Sequence, residues 1–161
     1  MGNTSLCFWS IERLKRQLIG QEISVVQEFI YLLLVLLIQF VNGMLLAPDP
    51  TDTLSDVFFR WFSIGGTFIG TVFAFLRNGG PKGREFQKRF FALYWILTIR
   101  FLLIGFFPIV LWAYGSVAIN LTDEVSRWSE TILFASLQLV FYWRLSFHIA
   151  SVACSEEHAQ V

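Results

Sequence analysis

The chain has 161 residues, 55% of them hydrophobic and only 15% charged, against roughly 25% charged in an ordinary soluble domain. Twelve Lys and Arg balance twelve Asp and Glu, so no basic excess points to a nucleic-acid partner. Cys7 and Cys154 stand too far apart for a CxxC redox motif or a zinc knuckle.

The first patterned segment is Ser10 to Leu18. Ile11, Leu14 and Leu18 share one helical face, and the rest is mostly charged. This predicts a short interfacial helix in the headgroup region, anchored further by Phe8 and Trp9. A plain charged topology signal fits the same residues.

A helix needs about 20 apolar residues to cross a bilayer. The first such run is Ile23–Leu46, longer than the ~7–15 residues of a signal-peptide core and without a small-residue cleavage site after it. Ala47-Pro48-Asp49-Pro50 ends it, because proline cannot continue a helix and restricts the residue before it. Thr53-x-x-Asp56 has the pattern of a capping box for the second run, Val57–Leu76, which only Arg60 interrupts. Arg60 is expected to reach out to Asp56 or the headgroups. Asn78-Gly79-Gly80-Pro81 is turn chemistry. Gly79 to Arg84 lacks the spacing and preceding strand of a phosphate loop. The third run, Phe90–Tyr114, contains Arg100, and Pro108 should bend its far half. Thr122-Asp123-Glu124 places acids at the start of the fourth helix, whose apolar run is Thr131–Val152 with Arg144 and His148 inside it.

The cations set the expected orientation. Arg13, Lys15 and Arg16 precede the first run, and Arg77, Lys82, Arg84, Lys88 and Arg89 lie between the second and third. The other two loops carry Asp49, Asp52 and Asp56, and Arg127 among Asp123, Glu124 and Glu130. By the positive-inside rule both termini are cytoplasmic. Trp61, Trp112, Tyr114 and Trp128 would form an aromatic belt at the outer boundary. The expected fold is therefore all-α: a polytopic integral membrane protein with four transmembrane helices in one domain, residues 1–161, in a bacterial inner membrane. The sequon at Asn120-Leu121-Thr122 would then be idle.

Charged groups inside a span cost at least ~2.5 kcal/mol near the bilayer centre on insertion scales, so they pair, snorkel or serve a function. Glu28, Arg100, Arg144 and His148 qualify. At about 100° per residue, Glu28, Tyr31, Val35, Gln39 and Asn42 fall within about 80° of one another, a polar stripe on an otherwise aliphatic helix. Gln39 and Asn42 are expected to act as interhelical glue or to line a polar path. Matching depths suggest a cluster of Glu28, Arg144 and His148, with Arg100 near it. One acid cannot satisfy both arginines, so the spare cation must meet backbone, lipid phosphate or a second chain. Gly66, Gly70 and Ala74, spaced by four, form a smooth strip for close helix packing.

No metal, nucleotide, cofactor or catalytic motif occurs: His-Glu-x-x-His, G-x-S-x-G and paired intramembrane acids are all missing from the sequence. The chain reads as no enzyme. Its expected partners are the lipid bilayer and a second membrane protein or further copies of itself. The leading expectation is a small inner-membrane accessory protein of the immunity, exclusion or complex-assembly type. The alternative is an oligomeric ion channel or transporter subunit with a polar path along its first transmembrane helix.

Overall fold

The computed structural model describes residues 10–20, 23–45, 52–83, 85–118 and 122–159. Within them the chain is all-α: α1 Ile11–Ile19, α2 Val25–Leu45, α3 Leu54–Arg77, α4 Phe86–Ala118 and α5 Asp123–Ala159, with a 3₁₀ turn at Gly80–Lys82. Cys7, Phe8, Trp9, the Ala47–Pro50 stop, Arg84 and Asn120 lie outside the described residues.

Local chemistry starts α1, α3 and α5. The Ser10 side chain accepts the Arg13 amide at 3.3 Å and caps α1. The Thr53 amide donates to Asp56 Oδ2 at 2.8 Å and opens α3. The Ser126 amide donates back to the Thr122 carbonyl at 3.0 Å, the first turn of α5. Between α3 and α4 the chain reverses through Gly79 and Gly80, at φ 96° and 56°, where a side chain would be strained. The turn is clamped from inside: Arg89 Nη1 donates to Asn78 Oδ1 at 2.8 Å, and both residues are buried. Arg89 is thus a structural donor, and Lys88 leans on Glu85 at 3.5 Å.

Among the described residues three stretches are long and apolar enough to cross a membrane: Leu54–Arg77, Phe86–Trp112 and Asp123–Ser155. A shorter apolar stretch, Val25–Phe40, lies in α2. Large apolar side chains cover the outside of all four helices, among them Leu36, Phe68, Phe106 and Leu139. That is the surface a lipid environment accepts and water does not. The protein is accordingly an integral membrane protein in contact with the bilayer.

The helices form an open row in the order α3, α5, α4, α2. α3 and α5 run parallel, since the contacts Asp56–Arg127, Ser63–Gln138 and Gly70–Tyr142 advance together along both. α4 runs antiparallel to α5, with Phe141 packed edge-on against Tyr94 and Phe101. α2 leans on α4 at the far edge. α2 makes no substantial contact with α3 among the described residues, so the row does not close into a ring.

The core lies toward one end. Phe90, Leu93, Ile96 and Leu97 of α4 meet Leu145, Ile149 and Val152 of α5 there. α1 completes it: Leu14 is 0% and Leu18 1% exposed, packed with α4 and α5. The amphipathic face expected to dip into headgroups is occupied by protein instead. The reason is geometric. α4 and α5 are 33 and 37 residues long, about 50 and 55 Å at 1.5 Å per residue, so they overhang a ~30 Å hydrocarbon layer and offer α1 an apolar wall.

Candidate functional site

The small-residue strip of α3 lies against α5, and it holds polar side chains. A Cβ on Gly66 would come 3.0 Å from Gln138 Nε2, and one on Gly70 would come 2.2 Å from Tyr142 Cγ. Ala74 is fully buried below them. Gln138 uses the space over Gly66 to donate to the Ser63 carbonyl at 2.9 Å and to Thr67 Oγ1 at 3.2 Å. The Tyr142 hydroxyl is within hydrogen-bonding reach of Thr67, Thr71 and Tyr94. Tyr94 in turn accepts from Gln39 Nε2 at 3.1 Å. The result is a lateral polar layer through all four long helices: Gln39 on α2, Tyr94 on α4, Tyr142 on α5, and Thr67 and Thr71 on α3. Each hydroxyl or amide in a dry interior needs such a partner. The layer runs across the row and so ties the helices together.

The remaining members of the α2 stripe diverge. Tyr31 and Val35 are buried against the neighbouring helix. Glu28 is half-buried and makes no side-chain ion pair among the described residues. Asn42 is exposed and has no side-chain partner among the described residues. The expected Glu28–Arg144–His148 cluster is not assembled: α2 and α5 are separated by α4, so equal depth does not bring their side chains together.

Arg144 and His148 gather other company. They lie one turn apart on α5, and Lys15 of α1, Glu12 of α1 and Arg100 of α4 are near enough to act electrostatically on the His148 ring. Lys15 Nζ is 3.3 Å from Ser151 Oγ, one turn beyond His148. The Arg144 guanidinium is exposed and stands 6.0 Å from the Trp143 ring. His148 Nδ1 is buried without a hydrogen-bond partner. Sequence reasoning missed Lys15, because it assigned α1 to the lipid surface.

At the opposite end a half-open cleft of about 540 Å³ separates the first turns of α3 and α5. Asp56, Asp123, Arg127 and Glu130 line it with Phe59 and Phe134. Arg127 bridges to Asp56 at 3.2 Å, and Arg60, expected to reach Asp56 or the headgroups, pairs with Asp52. Phe58 lies tilted against Trp128, with ring centroids 5.8 Å apart, while Trp61 and Tyr114 project outward. Among the described residues no group of three His, Cys, Asp or Glu side chains converges to hold a metal ion.

Comparison with known proteins finds no family model, no curated protein and no solved structure that matches the chain.

Proposed function

We propose that this is a non-enzymatic accessory protein of a bacterial inner membrane that acts by binding another membrane component, in the manner of immunity, exclusion or complex-assembly proteins. In this reading α2 is a fourth span and both termini are cytoplasmic, as the distribution of Lys and Arg favours. One observation carries the proposal. α2 sits at the edge of the row with α4 as its main neighbour, and it presents Glu28 and Asn42 with no side-chain partner among the described residues. These two groups lie about 21 Å apart along the helix, at 1.5 Å per residue. A carboxylate and an amide at membrane depth are stabilised when a second helix brings donors to them. A partner helix with a cation opposite Glu28 and a hydrogen-bonding side chain opposite Asn42 fits that edge.

Native mass spectrometry of the protein extracted from its own membrane in mild detergent tests this. A hetero-complex that is lost in Glu28→Gln and weakened in Asn42→Leu is the expected result. Recovery of the protein alone, with no crosslinked neighbour, defeats the proposal. Glu28 and Asn42 also favour a second reading, an oligomeric ion channel or transporter subunit with α2 lining the path. That reading requires a closed homo-oligomer, flux in liposomes, and altered ion selectivity on charge reversal at Glu28.

A further inference from the structure

We infer that Lys15, Arg144 and His148 form a binding site for the headgroup of an anionic phospholipid. The site is built from α1 and α5, away from the α2 edge, and stands independently of what α2 binds. Arg144 and His148 follow one another on a single strip of α5, and Ser151 continues it. Lys15 closes the strip from α1 through its 3.3 Å contact with Ser151. Arg100 adds a further permanent positive charge from α4, within electrostatic range of the imidazole. Among the described residues the acid in that range is Glu12, which is 3.7 Å from Lys15, with a side chain 78% exposed.

Among the described residues, the permanent charges of Lys15 and Arg144 are therefore gathered about a buried imidazole nitrogen, and the carboxylate near them is the solvated Glu12. Holding like charges together at the edge of a membrane is unfavourable unless an anion joins them. A phosphodiester suits the donors on offer. The guanidinium fork of Arg144 can bind two of its oxygens, and the Lys15 ammonium supplies a point charge. The surroundings favour a lipid over a free anion. Val140, Trp143 and Phe147 flank Arg144 on α5, all exposed, and form an apolar surface along which acyl chains can lie. Trp143 stands beside the guanidinium and is a built-in reporter.

The test uses the full chain, exchanged into mild detergent and depleted of lipid. Phosphatidylglycerol, phosphatidylcholine with the same chains, and inorganic phosphate are titrated separately. Bound lipid is counted by native mass spectrometry. Quenching by chain-brominated lipid is read as the difference between wild type and Trp143→Phe. Phosphatidylglycerol should bind at least about ten-fold more tightly than phosphatidylcholine. Arg144→Gln should abolish that preference, Arg144→Lys should keep part of it, and Arg127→Gln at the far end of α5 should leave it unchanged. Circular dichroism checks folding, and Lys15→Gln provides the same reading if Arg144→Gln does not fold. Equal binding of the two lipids by wild type, or a preference that survives in folded Arg144→Gln or, where that variant does not fold, in Lys15→Gln, overturns the site. Displacement of phosphatidylglycerol by millimolar inorganic phosphate overturns the lipid assignment.

Discussion

Gly70→Ala should be the most damaging single-methyl addition on α3. The new Cβ would stand 2.2, 2.4 and 2.7 Å from Cγ, Cδ1 and Cδ2 of Tyr142. Carbon atoms in contact sit about 3.5–4.0 Å apart, so ring and helix must separate by more than about 1 Å. The obstacle is the root of the ring, which cannot swing aside as a flexible tip would. Overpacking of this kind costs about 1–3 kcal/mol. Displacing Tyr142 also draws its hydroxyl away from Thr67 and Thr71, at about 0.6 kcal/mol per interhelical bond. The expected loss is about 2–4 kcal/mol. Gly65 is the internal control, because nothing lies within 4 Å of a Cβ placed there. Gly65→Ala should be neutral or stabilising by up to about 1 kcal/mol through helix propensity. Unfolding by SDS titration in mixed micelles, followed by circular dichroism, measures both. The α3–α5 packing described above is refuted if Gly70→Ala unfolds at the wild-type midpoint, or if Gly65→Ala is equally harmful.

Leu14→Ala should cost about 2–5 kcal/mol in the same assay, since Leu14 is fully enclosed by protein; a helix resting only on headgroups would show no change. Gln39→Leu should lose about 0.6–1.7 kcal/mol, and the double variant with Tyr94→Phe should lose less than the sum of the two single losses, because the Gln39–Tyr94 bond is common to both while Tyr94→Phe also removes the contact with Tyr142. Asn78→Ala should cost about 1.5–3 kcal/mol by taking the buried acceptor from Arg89, and proteolysis at the α3–α4 turn should rise with it. Arg127→Ala, by contrast, should change stability by less than about 1 kcal/mol, as its bridge to Asp56 is half-exposed.

The apolar runs made the long helices legible, because length and hydropathy alone identify a span. The turn at Asn78–Pro81 and the Thr53–Asp56 cap were legible for a similar reason: each depends on residues only a few positions apart. Neighbour order was not legible. Glu28 and His148 share a depth, but nothing local in the sequence places α4 between their helices. α1 shows the same gap. An apolar face of Ile11, Leu14 and Leu18 looks identical whether lipid or protein covers it. Arg89 counted as a loop cation because charge statistics carry no burial. Tyr94 and Tyr142 did leave a signal. A phenol hydroxyl inside a membrane must find a partner, and that requirement marks both residues as candidates for a polar layer.

The pairing of α3 with α5 bears on how the protein is made. α4 lies between them in the chain, so α3 enters the bilayer before its parallel neighbour has been synthesised. At about 5–20 residues per second the delay lasts seconds. During that interval Gly66, Gly70 and Ala74 form an empty notch on a lipid-facing helix, shaped to accept any side chain of suitable size. Translation that halts before α5 leaves the notch permanently unfilled. The newborn chain therefore passes through a stage in which its best packing surface is open to the wrong helix, and α5 is the segment that ends it.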